Sequence, residues 1–284
     1  MSYHYCRDCR AGRGALLMGA IACAVSSGAA ATLRAQSADP DTLVTAAVAF
    51  DLAGRYAEAR TELTTAIAAA PTDSAKARIR RTLAVSYAFT CDLAGAGTVE
   101  RQVIDERLAA HDFIGAADVD NELARILLEC GDFKGALATY RAGHTTALRA
   151  TPLSDSTRDL WDFRWEHAQA RIAARRGKPD EALQHVAAAK AILDKGTNPD
   201  QARFLPYLTG YVALYSGDYR TAIADLQRAD QRDPFVLSLL AQSYERSGDK
   251  AQAGLFYRKV LDLDNHNPPN AFARPLAKRK LAGV

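Results

Sequence analysis

The sequence predicts an all-α chain in which helical hairpins stack side by side, and three observations carry that prediction. The 284 residues are 48% apolar and 24% charged, ordinary for a globular chain with a sizeable core. Alanine-rich runs dominate, with few of the β-branched clusters that favour strands. Gly217-Asp218-Tyr219 separates two helical patterns. Gly210 to Ser216 precedes it, and Ala222, Leu226 and Ala229 follow at helical spacing until Pro234 stops the run. The same corner recurs along the chain.

At the N-terminus, Arg7, Arg10 and Arg13 precede the apolar run Gly14 to Val25. Small residues follow at Ala35-Gln36-Ser37, just before the polar Asp39-Pro40-Asp41. Positive, apolar and small-residue zones in that order describe an export signal over residues 1–37, with cleavage near Ser37–Ala38. Gly14 to Leu33 is also long enough for an uncleaved anchor. Ala20-Ile21-Ala22-Cys23 loosely resembles a lipobox, with Cys23 the residue acylated. Cys6-Arg7-Asp8-Cys9 has zinc spacing but lacks a second pair. Removing Arg7, Arg10, Arg13, Arg34 and Asp8 from 36 basic and 33 acidic residues leaves 32 of each. This balance argues against a nucleic-acid partner, which draws on a basic excess or stripe.

From residue 38 to 267 the corner acts as a ruler. The first copy has Gly54, Tyr56, Ala59, Leu63, Ala66 and Pro71; the second departs, with Cys91-Asp92-Leu93 in place of the glycine corner. The third has Gly131-Asp132-Phe133 with Ala136 and Tyr140. The fourth has Gly177, Ala182 and Ala189, with Pro179 where an aromatic stands elsewhere. The fifth is the stretch described above, and the sixth has Gly248-Asp249, Ala253 and Tyr257. Small residues at these positions let two helices cross closely. After Asn265-His266-Asn267-Pro268-Pro269, residues 268–284 read as a capping helix and tail, apolar on one side and basic on the other.

Gly217, Asp218, Tyr219, Ala222, Leu226, Ala229 and Pro234 resemble the tetratricopeptide repeat (TPR), and the resemblance extends over about six units. It implies an α-solenoid, a right-handed superhelix of about six TPR-like hairpins plus the C-terminal cap, whose first helices line a concave groove. Carried over by register, the groove positions are Arg78 and Arg81, then Asn121 and Arg125. The next helix presents Arg164, His167, Arg171 and Arg175, and the next Phe204, Tyr207, Tyr211 and Tyr215. A basic stripe beside an aromatic stripe resembles the carboxylate clamp of peptide-binding repeats. The alternative is equally physical: Tyr207 and Tyr211 fill core space left by Thr209, Gly210 and Ala213, and the arginines pair with Asp118, Glu129 or Asp162.

Removal of the leader leaves two cysteines, Cys91 and Cys130, at corner ends of adjacent first helices. Export would permit a disulfide, yet neighbouring helix axes lie about 8–10 Å apart, wide for a bridge. Two buried thiols are the other reading. Five histidines remain (His111, His144, His167, His185 and His266), without metal-ligand spacing or a nucleophile motif. Glu122 with Glu129, or Asp162 with Glu166, are unremarked carboxylates on helix faces. No catalytic, cofactor or metal site is expected. The expected function is a non-enzymatic scaffold or adaptor of the periplasm or cell envelope, binding a protein segment, possibly acidic. The rivals are an accessory subunit of an envelope enzyme or assembly complex and a self-associating structural oligomer. Membrane contact is expected only if the leader is retained or Cys23 is lipidated.

Overall fold

A computed structural model describes residues 39–283; the export signal, Cys23 and the Cys6/Cys9 pair lie outside the described residues. Among the described residues there are thirteen α-helices and no strand. Twelve helices form six successive hairpins: α1 Pro40–Ala53 with α2 Tyr56–Ala69, α3 Asp73–Ala88 with α4 Leu93–Ala109, and α5 Phe113–Glu129 with α6 Phe133–Ala147. Then come α7 Asp155–Arg175 with α8 Pro179–Leu193, α9 Leu205–Ser216 with α10 Tyr219–Arg228, and α11 Pro234–Ser247 with α12 Lys250–Leu261. A 3₁₀ turn, Pro199–Phe204, leads into α9, and α13 Pro268–Ala282 ends the chain. The architecture is an all-α solenoid, and each helix packs on the next in sequence. No described helix is long and apolar enough to cross a membrane.

One piece of chemistry ends most first helices and starts the second. At the fifth corner Gly217 has φ +85°, a left-handed conformation that ends α9, and the Asp218 side chain accepts the Thr221 amide at 3.1 Å to start α10. The second corner keeps this geometry without glycine. Cys91 takes φ +52°, and Asp92 accepts the Gly95 amide at 2.9 Å. The junction between α4 and α5 uses it again, through His111 at φ +57° and Asp112, which accepts the Gly115 amide at 2.9 Å. The sequence reading passed over this last junction because no glycine marks it.

Crossing positions are filled by small residues. Ala59, Ala136, Ala182 and Ala222 are buried completely, as close helix approach requires. Gly210 goes further: a methyl group there would meet Leu226 Cγ at 2.6 Å and the Leu226 amide nitrogen at 3.1 Å.

The disulfide is present. Cys91 and Cys130 are bonded with their Cα atoms 5.5 Å apart. The spacing between helix axes is the wrong yardstick here, because Cys91 sits in the left-handed corner and Cys130 just past the end of α5. Both chains have left their helix axes by the time they meet.

The C-terminal helix does more than cover the last hairpin. It packs on α11 and α12 and also reaches α3 and α5, at the front of the stack. Ala271 and Phe272 join the apolar cluster of Val85, Ala88, Phe89 and Ile126. Arg274 Nε and Lys278 Nζ each donate to the Leu52 carbonyl at 3.0 Å, at the negative end of α1. His266 Nε2 lies 2.8 Å from Asp51 Oδ2, whose other oxygen accepts from Ser86 Oγ at 2.9 Å. The expected solvated basic face is therefore largely engaged: Arg274 and Lys278 hold α1, and Lys280 pairs with Glu245 at 2.7 Å.

Two glycine substitutions should move stability in opposite directions. Helix propensity alone favours alanine at both Gly210 and Gly254 by up to about 1 kcal/mol. At Gly254 an added methyl meets only the Arg258 side chain, at ordinary contact distance, so Gly254→Ala should stabilise. At Gly210 the buried Leu226 and its backbone block the methyl, so Gly210→Ala should destabilise by about 1–3 kcal/mol. Urea unfolding of both variants checks the signs.

Candidate binding cavity

The first helices of successive hairpins border a cavity of about 1300 Å³, lined from α3, α5, α7, α9 and α11, by residues of α4 and α6, from the turn before α9 and from His266 to Pro269. It is not an open groove: α13 bridges the inner face between the last hairpin and the second and third. Of the positions carried over by register, Arg81, Asn121, Arg125, Arg164, His167, Arg171 and Tyr207 line the cavity, with Arg78 and Phe204 beside them. Arg175, Tyr211 and Tyr215 do not.

Most of the rim arginines are paired across helices. Arg78 donates to Asp41 at 2.7 Å, Arg164 to Asp118 at 2.7 Å, and Arg81 Nε to Glu122 at 3.0 Å. Such half-exposed pairs fix side-chain direction more than they stabilise. Two other carboxylates named from the sequence are also engaged: Asp162 lies 2.8 Å from His144 Nε2, and Glu166 lies 2.6 Å from His185 Nδ1.

Below the rim the stripe becomes core. The Glu129 side chain is 3% exposed. Arg175 Nη1 donates to it at 2.7 Å, Tyr211 Oη donates at 3.1 Å, and Arg171 Nη1 stands 3.9 Å away. Arg171 is itself buried and donates to Tyr140 Oη at 2.9 Å. Tyr211 is 0% exposed, its ring centroid 4.7 Å from Tyr215 and 6.4 Å from Phe235. As groove positions, Arg175, Tyr211 and Tyr215 are therefore corrected to a buried network. The reason is local: Gly210 draws Leu226 against α9, and Phe235 on α11 completes an aromatic layer that the tyrosines fill. Glu129, Tyr140 and Phe163 were not singled out as site residues. Carboxylates one hairpin back from an arginine stripe were the signal available for Glu129.

Three polar atoms at the cavity floor lack a hydrogen-bond partner: Arg125 Nε, His167 Nε2 and Tyr207 Oη. The Arg125 guanidinium lies over the Phe235 ring, 5.4 Å from the centroid. Burial, and then the positive charges of Arg171 and Arg125, hold His167 well below the usual imidazole range, so it is neutral at pH 7. Burial pushes the Tyr207 phenol up, keeping its proton.

A second buried group lies behind Arg81. Glu100 on α4 is 0% exposed, and neither carboxylate oxygen has a hydrogen-bond partner. Burial, and next the charge of Glu122, push its pKa well above 4.5; Arg81 pulls the other way and Asp120 adds to the rise. Burial lifts Asp120 to about 6. No group of His, Cys, Asp and Glu among the described residues could hold a metal ion.

Residues 207–268, which span most of the fifth and sixth hairpins, match the family model described as tetratricopeptide repeat. A solved structure, a tetratricopeptide repeat protein from Parabacteroides merdae ATCC 43184, is similar over 86% of this chain and 97% of that chain, at 15% identity and a TM-score of 0.36. No curated protein matches the chain.

Two predictions concern the buried carboxylates. Glu129→Gln leaves two guanidinium groups without their shared counter-charge and should destabilise by about 3–5 kcal/mol in urea unfolding. Glu100 keeps its proton when folded and releases it on unfolding above about pH 4.5. Its contribution is complete below that value and is lost as pH rises toward the folded pKa. Glu100→Gln removes this loss, so its stability relative to wild type should rise from about pH 5 toward neutral pH. Urea titrations at the two ends of that range measure the difference.

Proposed function

We propose that this chain is a non-enzymatic scaffold or adaptor that holds an acidic segment of a protein partner on its inner face. The tetratricopeptide pattern supports the general class, since such hairpin stacks present concave surfaces to protein partners. The observation that carries the reading is the cavity itself, where Arg78, Arg81, Arg164 and Asn121 converge from three helices. Guanidinium forks suit carboxylate side chains, and the rim pairs can exchange partners because they are half exposed.

We place the protein outside the cytoplasm, in the periplasm or cell envelope. The N-terminal charge and hydropathy pattern supports export, and the Cys91–Cys130 bond suits an oxidising compartment.

Fluorescence anisotropy with labelled acidic 15-residue peptides, against charge-reversed controls, tests the binding reading. Wild type should bind the acidic set in preference. The double variant Arg81→Glu with Arg164→Glu should weaken binding by about tenfold or more. Equal affinity for both peptide sets, or an unchanged affinity in the variant, overturns the reading.

A further inference from the structure

The rim of the cavity is charge-paired, and its floor is not. Around the floor stand three guanidinium groups, Arg125, Arg171 and Arg175, and one carboxylate, Glu129. Arg175 and Arg171 share that carboxylate, at 2.7 and 3.9 Å. Arg125 has no ion pair or hydrogen bond to any described residue. The other acid near Tyr207 is Asp233, which accepts the Phe235 amide at 2.7 Å as the N-cap of α11. A half-buried cation with free donors, beside a phenol that is 8% exposed and has no acceptor, is a costly arrangement unless something fills it.

The surroundings define the occupant. His167 stacks on Tyr207 with centroids 5.5 Å apart, and Phe163 lies 5.7 Å from His167. Val85 and Val236 complete the apolar part of the lining. Unpartnered polar atoms of Arg125, His167 and Tyr207 thus lie among these stacked and tilted rings. His266 to Pro269 also line the cavity, so at the floor, below the rim proposed for a protein segment, the space suits a compact molecule.

We propose that the cavity floor binds a small organic carboxylate with a flat apolar body, its anionic group held by Arg125 and Tyr207 and its body lying against His167 and Phe163. His167, being neutral, adds a donor or acceptor through Nε2 without repelling Arg125. The site lies below the rim arginines invoked for a protein partner, and it stands whether or not peptides bind.

Isothermal titration of the full chain with benzoate, acetate and inorganic phosphate tests this. Benzoate should bind saturably at one site per chain, with acetate at least about tenfold weaker for want of a body to bury. Arg125→Met keeps the apolar volume and should lose about tenfold or more, as expected for a charged hydrogen bond. Should that variant fold poorly, Tyr207→Phe removes one donor and should lose at least about threefold. The control Lys190→Ala, whose exposed side chain pairs with Asp194 and does not line the cavity, should stay within about twofold of wild type. Bound benzoate should also raise the imidazole pKa of His167 in an NMR titration, which a purely structural histidine would not show. The proposal is overturned if benzoate does not saturate, if phosphate binds in preference, or if Arg125→Met binds benzoate as wild type does. Loss of acidic-peptide binding alone would strike the scaffold reading and leave this site intact.

Discussion

A stack of hairpins has two ends whose apolar faces have no neighbour, and here one helix serves both. α13 covers the sixth hairpin and then ties itself to the carbonyl end of α1 through Arg274 and Lys278, while Phe272 enters the cluster around Phe89. In an open solenoid, stability is nearly a sum over neighbouring repeats, and terminal repeats fray first. Connecting the last repeat to the first removes the free ends as independent fraying units. It also places a wall across the inner face, which is why the site is a cavity and not a groove. His266 to Pro269, which lead into this helix, line one side of the cavity.

Much of the fold was legible because its determinants are local. A left-handed residue, an aspartate cap and an alanine one turn on form a signal that needs no knowledge of the rest of the chain. Four of the six corners carry all three parts, including the one where Cys91 replaces glycine; the first and fourth keep the glycine and the alanine, with Arg55 and Lys178 where the aspartate stands elsewhere. The junction at His111 was missed for the same reason that Cys91 stood out as a departure: a non-glycine residue with positive φ is uncommon, and its identity does not announce its conformation. Closure by α13 was not legible. An amphipathic helix with a basic side reads as a solvated cap until one knows that the carbonyl end of α1 lies beneath it.

Spacing picked out the helices that line the cavity and not the depth of each residue along them. Spacing placed Arg164, His167, Arg171 and Arg175 on one face of α7, and they do share it. Spacing cannot say where along that face the neighbouring helices close in. The stripe starts at the rim with Arg164, passes the cavity floor at His167 and Arg171, and ends in the core at Arg175. What decides this is Glu129, contributed by α5, together with the aromatic layer from α9 and α11. The tyrosine stripe on α9 behaves likewise: Tyr207 reaches the cavity, and Tyr211, one helical turn on, is sealed.

This gradient in depth is what gives the unpaired floor its meaning. At the rim, water can satisfy any arginine, so an ion pair there is weakly informative. At the floor, each donor must be met by the protein or by something it holds, because the local dielectric no longer screens the charge. The chain meets that requirement for Arg175 and Arg171 with Glu129 and Tyr140, and leaves Arg125, His167 and Tyr207 unmet beside one another. A scattered set of orphaned atoms would suggest separate local compromises. Three of them on residues of α5, α7 and α9 that line one cavity instead mark a single place where polar groups are left for something else to meet, held by the same helix crossings that build the stack.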